Sequence, residues 1–169
     1  MSDYDQKALE ALATAVGAAL LSTGQRLATA ESCTGGWVAQ SLTAIAGSSD
    51  WFERGFVTYS NAAKQEMLSV SPATLEQHGA VSAATAAAMA AGALLHSHAD
   101  WALAITGVAG PGGGSADKPV GSVCFGWAGP DGRLEVESCR FEGSREEVRA
   151  QSVAYALAGI LERCVTLTA

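Results

Sequence analysis

The sequence predicts an α/β protein, a three-layer α/β/α sandwich around a mixed, mostly parallel sheet. Three observations carry this. Short apolar runs alternate with helix-like segments through the first two thirds of the chain, the pattern of strands joined by crossover helices. Gly129-Pro130-Asp131-Gly132 separates the last two apolar runs, a turn signal that supplies an antiparallel edge. Alanine and glycine are abundant throughout, which suits helices packed closely on a sheet.

In chain order, residues 5–22 place Leu9, Leu12, Val16 and Leu20 at helical spacing. Residues 27–31 read as a short strand that runs into Ser32-Cys33-Thr34-Gly35-Gly36. Residues 37–45 read as a helix stopped by Gly47-Ser48-Ser49. A second strand is predicted over 55–59. Ser60 or Asn61 then caps a helix reaching Leu68. A short helix over 72–78 starts on Pro72, and an alanine-rich helix over 82–96 starts on Ser82. Residues 101–106 form an apolar, buried strand, and 107–119 a glycine-rich loop. Strands over 120–128 and 133–141 flank the turn. A closing helix over 144–161 carries Glu146 and Glu147 in its first turn, where they favour the helix dipole.

The 169 residues predict one domain, 1–169. Roughly 70% of the unfolded surface can be buried at this length, so a core forms without disulfide or structural metal. The formal net charge is −7 with only 10 Lys and Arg. That balance disfavours a nucleic-acid partner, which demands many phosphate contacts. A small phosphate pocket of one or two arginines and backbone amides is still compatible with it. Cys33, Cys124, Cys139 and Cys164 show no metal-ligand spacing and no clustering with histidine, so no metal is expected. Scattered cysteines behind an acidic, unleader-like N-terminus predict reduced thiols and a cytoplasmic location. The apolar stretches are too interrupted to span a membrane.

Three segments could carry chemistry. Ser32 stands where a strand turns into a helix, with Gly35 and Gly36 close behind. Free amides at such a turn can hold an oxyanion beside a hydroxyl nucleophile. Ser32 or Thr34 could equally be a simple helix cap. Cys33 is a rival nucleophile, since a helix start lowers a thiol pKa; its small apolar side chain suits packing as well. Lys64 falls in the first turn of its helix, opposed by the dipole at a cost of roughly 0.3–1 kcal/mol. The same opposition, with burial, would favour a neutral lysine base; an exposed lysine is the plainer alternative. Tyr59, at the strand end, could relay a proton or sit as an edge aromatic. The loop Thr106-Gly107-Val108-Ala109-Gly110-Pro111-Gly112-Gly113-Gly114-Ser115 follows a buried strand. Ligands bind beyond the carboxyl ends of strands in open α/β sheets. Glu31, Tyr59 and Thr106 would meet there if their strands are parallel. The loop is no P-loop, because no Gly-Lys-Ser/Thr follows, and it reads as well as a plain connection. Arg145 and Arg149 share one face at the start of the last helix. They point either to a bound anion or to salt bridges with nearby glutamates.

Ala30-Glu31-Ser32-Cys33-Thr34-Gly35-Gly36, Gly55-Phe56-Val57-Thr58-Tyr59-Ser60-Asn61 with Lys64, Gly79-Ala80-Val81-Ser82, Thr106-Gly107-Val108-Ala109-Gly110-Pro111 and Lys118-Pro119-Val120-Gly121 together resemble the CinA C-terminal domain family. The resemblance runs from about residue 8 to 163, with the motifs in order. It implies a three-layer α/β/α fold with a mostly parallel mixed sheet. It also implies a nicotinamide-nucleotide amidase that turns nicotinamide mononucleotide into nicotinate mononucleotide and ammonia, in pyridine nucleotide recycling. The family's serine and lysine fall on Ser32 and Lys64. On this reading neutral Lys64 activates Ser32, and amides near Cys33, Thr34, Gly35 and Gly36 hold the oxyanion. Tyr59 and Thr106 assist, while Gly107, Gly110, Ser115 and Arg145 hold the ribose phosphate. No cofactor is expected, and a homodimer is. Glu31 is expected to bond backbone amides or substrate, since a carboxylate on Lys64 would raise its pKa. A non-catalytic nucleotide-binding module is the competing function.

Overall fold

A computed structural model describes residues 4–166. Helix α1 (Gln6–Thr23) starts on Asp5, whose carboxylate accepts from the Ala8 amide at 2.9 Å, and stops on Gly24 at φ +66°. Strand β1 (Leu27–Glu31) is buried along its whole length. Helix α2 (Trp37–Thr43), strand β2 (Phe52–Val57), helices α3 (Asn61–Leu68), α4 (Pro72–His78) and α5 (Ala83–Leu95) follow. Strands β3 (Trp101–Gly107), β4 (Ser122–Ala128) and β5 (Leu134–Arg140) and helix α6 (Arg145–Thr166) complete the chain.

The five strands lie in the order β2-β1-β3-β4-β5. β1 pairs parallel with both β2 and β3, and β4 runs antiparallel to β3 and β5. The mixed sheet of the sequence reading is therefore present, with β4 alone reversed. The second strand starts at Phe52 rather than Gly55 and ends at Val57, before Tyr59. Glu53 and Arg54 hide its start, because they pair with each other at 2.7 Å on an edge strand where charge is tolerated. The last helix runs to Thr166, five residues past the expected end.

Side-chain alternation along the strands builds two unequal layers. Leu27, Leu103, Ile105, Val123, Phe125 and Trp127 point to one face and meet Leu9, Val16 and Leu20 of α1 and Val153, Leu157 and Ile160 of α6. Ala28, Ala30, Ala102, Ala104 and Ala128 point to the other and meet Met89, Ala90 and Ala93 of α5 and Leu68 of α3. Small residues on that second face let α5 sit close to the sheet. Gly92 then lets α3 sit close to α5. A Cβ there would stand 2.0 Å from the Leu68 carbonyl oxygen. That contact fixes α3, and with it Lys64.

Candidate active site

The carboxyl ends of β1, β2 and β3 lie side by side, with Glu31 in register with Val57 and Ile105. The Ser32 amide extends the ladder one step by donating to the Ile105 carbonyl at 3.0 Å. The chain then turns through Gly35 at φ +60° and Gly36 at φ +102°, a left-handed pair that glycine adopts without strain. Gly36 is the N-cap of α2 and makes no side-chain cap bond. Neither Ser32 nor Thr34 caps that helix, so the simple cap alternative is overturned. Glu31 takes the capping role instead. Its carboxylate accepts from the Val38 amide at 2.8 Å, the Ala39 amide at 3.1 Å and the Thr34 hydroxyl at 2.7 Å. Burial raises the Glu31 pKa, and these hydrogen bonds oppose the rise.

Helix α3 starts on Ser60, whose hydroxyl accepts from the Ala63 amide at 3.0 Å. One turn on, Lys64 is only 2% exposed. Its Nζ lies 3.0 Å from Ser32 Oγ and 2.9 Å from the Thr58 carbonyl oxygen. Neither partner is charged. Burial lowers the Lys64 pKa, with the nearby Cys33 thiol acting weakly the other way. A neutral amine satisfies this geometry well. Nζ can donate to both oxygens, and in its neutral form the lone pair could instead accept the Ser32 hydroxyl proton while one N–H stays on Thr58. The exposed-lysine alternative is thereby overturned. Cys33, next in the chain, is buried, and burial pushes its thiol up to about 12. A thiol held neutral in this way is a poor nucleophile.

The remaining residues singled out in the sequence fall in three places. Tyr59 is 63% exposed in the connection before α3, and Arg145 donates to its hydroxyl at 2.9 Å. Arg145 also donates to the Gly110 carbonyl at 2.7 Å, which ties α6 to the glycine-rich loop. Tyr59, Gly110 and Arg145 thus form one cluster. Thr106 is buried and spends its hydroxyl proton on the Ala80 carbonyl at 2.7 Å, which anchors the α4–α5 connection. Gly107 packs against β4, where a Cβ would meet Val123 Cγ2 at 2.8 Å. Ser115 closes a turn by accepting from the Lys118 amide at 3.1 Å. The hydrogen bonds of Thr106 and Ser115 do not involve Ser32 or Lys64.

Arg149 departs from both readings of the arginine pair. Its Nε donates to the Cys33 carbonyl at 3.1 Å and its Nη2 to the Thr34 carbonyl at 3.0 Å, with the guanidinium 5.3 Å from the Trp37 ring centre. Its partners are neutral carbonyls 115 and 116 residues earlier in the chain. No local spacing rule pairs residues so far apart.

Fold and site together define an α/β protein with a buried serine–lysine pair at the carboxyl edge of its parallel strands, an arrangement suited to nucleophilic acyl transfer. The chain belongs to the CinA C-terminal domain family, whose model matches residues 9–164. It is 54% identical over 152 residues to the nicotinamide-nucleotide amidohydrolase PncC of Enterobacter agglomerans, covering 90% of this chain and 93% of that one. It is 55% identical over 146 residues to the protein of the same name from Escherichia coli K12, covering 86% and 88%. Among solved structures it is similar to the competence/damage inducible protein CihA of Agrobacterium tumefaciens, with a TM-score of 0.89 at 46% identity, covering 91% and 94%.

Proposed function

We propose that this protein hydrolyses the carboxamide of nicotinamide mononucleotide to nicotinate mononucleotide and ammonia, by way of an acyl-enzyme on Ser32. The observation that carries the chemistry is Lys64 Nζ, buried, without a charged partner, 3.0 Å from Ser32 Oγ. The choice of substrate rests on the two amidohydrolase relatives, each matched over most of its length.

Neutral Lys64 accepts the Ser32 proton as Ser32 Oγ bonds to the carboxamide carbon. The carbonyl oxygen becomes an oxyanion facing the turn amides. Lys64 passes its proton to the leaving nitrogen, the C–N bond breaks, and ammonia departs. Water then adds to the ester, with Lys64 again taking and returning a proton, and nicotinate mononucleotide leaves. The Thr34 amide has no backbone acceptor among the described residues and is open to the oxyanion, while the Cys33 amide faces its own sulfur. Arg145 uses two guanidinium N–H groups on Gly110 and Tyr59, and the others remain for the ribose phosphate.

Such a reaction would serve pyridine nucleotide recycling in the cytoplasm, in keeping with four free cysteines. Among the described residues no helix is long and apolar enough to cross a membrane.

The test is ammonia release, with chelator present, from nicotinamide mononucleotide, nicotinamide riboside and nicotinamide. Turnover of the mononucleotide well above the other two is expected. Tight mononucleotide binding without ammonia would instead establish a non-catalytic nucleotide-binding module.

A further inference from the structure

We propose that Arg149 is a positioning residue for the oxyanion: by holding the Cys33 and Thr34 carbonyls on the α6 side, it aims the Thr34 amide at the reacting centre. This rests on the acyl-transfer reading of Ser32.

The geometry follows from the peptide plane. In a trans peptide the N–H points away from the carbonyl of the same unit. The Cys33–Thr34 bond is trans, since the cis bond among the described residues is Gly110–Pro111. Arg149 approaches the Cys33 oxygen from α6, in the layer that contains Leu157 and Ile160. The Thr34 N–H must therefore point away from that layer. On the far side of the sheet lies α3, whose Lys64 holds the Ser32 hydroxyl. The Ser32 carbonyl accepts from the Gly35 amide at 3.0 Å, which sets the direction of the Cys33 N–H.

Arginine suits this task for two reasons. Its planar fork can address two successive carbonyls at once, which a lysine ammonium does less well. Its charge also draws electron density toward the Cys33 oxygen, which makes the Thr34 N–H of the same amide a stronger donor. Stacking on Trp37 holds the guanidinium in place. The opposite edge of the turn is held by the Glu31 carboxylate through Thr34, Val38 and Ala39. Between these two groups the turn has little freedom, and the Thr34 amide is left without a backbone acceptor.

Capture of Ser32 by an alkyl fluorophosphonate tests this without relying on the natural substrate. Ser32 Oγ bonds to phosphorus, fluoride leaves, and Lys64 takes the proton. Loss of an oxyanion donor costs about 10²–10³ in rate, so misaiming one in Arg149→Ala should slow capture at least about 10-fold. Arg149→Lys keeps the charge without the fork and should recover only part of the rate. The pH midpoint of capture, set by Lys64, should not move in either variant. A wild-type capture rate in Arg149→Ala, or a moved midpoint, overturns the proposal, and so does absence of capture in the wild-type protein. If Arg149→Ala does not fold, Arg149→Lys alone decides between slowed and unchanged capture. Wild-type protein that is captured at Ser32 yet releases no ammonia from the mononucleotide refutes the proposed substrate and leaves this inference standing.

Discussion

At the residue scale, the site depends on which groups are denied water and charge. Lys64 is buried against a hydroxyl and a carbonyl, so its charged form is disfavoured. Activity should therefore rise with pH through a midpoint below the ordinary lysine value of 10.5, measurable as kcat against pH. The same shift has a stability sign. Between its lowered folded pKa and 10.5, the unfolded chain binds more protons than the folded one, so stability rises with pH in that window. Lys64→Met, which removes the titration while keeping the bulk, should flatten that part of the curve in urea unfolding. Cys33, one position after Ser32, is buried with a different outcome. Burial keeps its thiol protonated, so it should resist iodoacetamide at pH 8 in the folded protein, and Cys33→Ala should keep most of the activity. The sequence offered both Ser32 and Cys33 as nucleophiles, since both stand at a turn before a helix. The choice between them depends on burial by other elements, which local sequence does not contain.

At the scale of elements, the two halves of the pair come from different elements, a strand end and a helix. Ser32 follows β1, while Lys64 rides on α3, which is seated on α5 at Gly92. Gly92→Ala places a Cβ against the Leu68 carbonyl and must displace α3. It should cost about 1–3 kcal/mol and lower kcat, read by urea unfolding and ammonia release. A helical glycine-to-alanine change would otherwise gain about 1 kcal/mol from propensity, so the sign of the result is diagnostic. The α3 cap before Lys64 was legible because Ser60 and its spacing are local signals. The α2 start at Trp37 was legible too, but its capping was not, because Gly36 occupies the cap and the capping carboxylate is Glu31, five residues earlier. Arg149 was illegible for a similar reason. Its partners are backbone carbonyls brought to it by the whole sandwich.

Across the whole molecule, large side chains fill one side of the sheet and alanines the other. The sheet order, with β1 buried between β2 and β3, brings three parallel strand ends to one edge and leaves the hairpin strand β5 at the far side. The mixed sheet and its hairpin edge were foreseeable from alternating apolar runs and the Gly-Pro-Asp-Gly turn; the strand order was not. Which face carries which helices was not, because both faces of a buried strand are apolar. The asymmetry predicts unequal tolerance. Ala104→Val, under α5, should cost about 1–3 kcal/mol by overpacking, whereas Ile105→Val, on the larger-residue face, should cost about 0.5–1.5 kcal/mol by leaving a small cavity. Denaturant unfolding of the two neighbours measures the difference directly. Thus one strand, β1, serves both layers and delivers Ser32 at its end.

The most direct measurement is ammonia release from nicotinamide mononucleotide by the wild-type protein and by Ser32→Ala, Cys33→Ala and Lys64→Ala, all shown to be folded. Turnover should persist in Cys33→Ala and fall by at least about 10³-fold in the other two, with no further loss when those two changes are combined. Undiminished turnover in Ser32→Ala, or its loss in Cys33→Ala alone, would contradict Ser32 as the nucleophile.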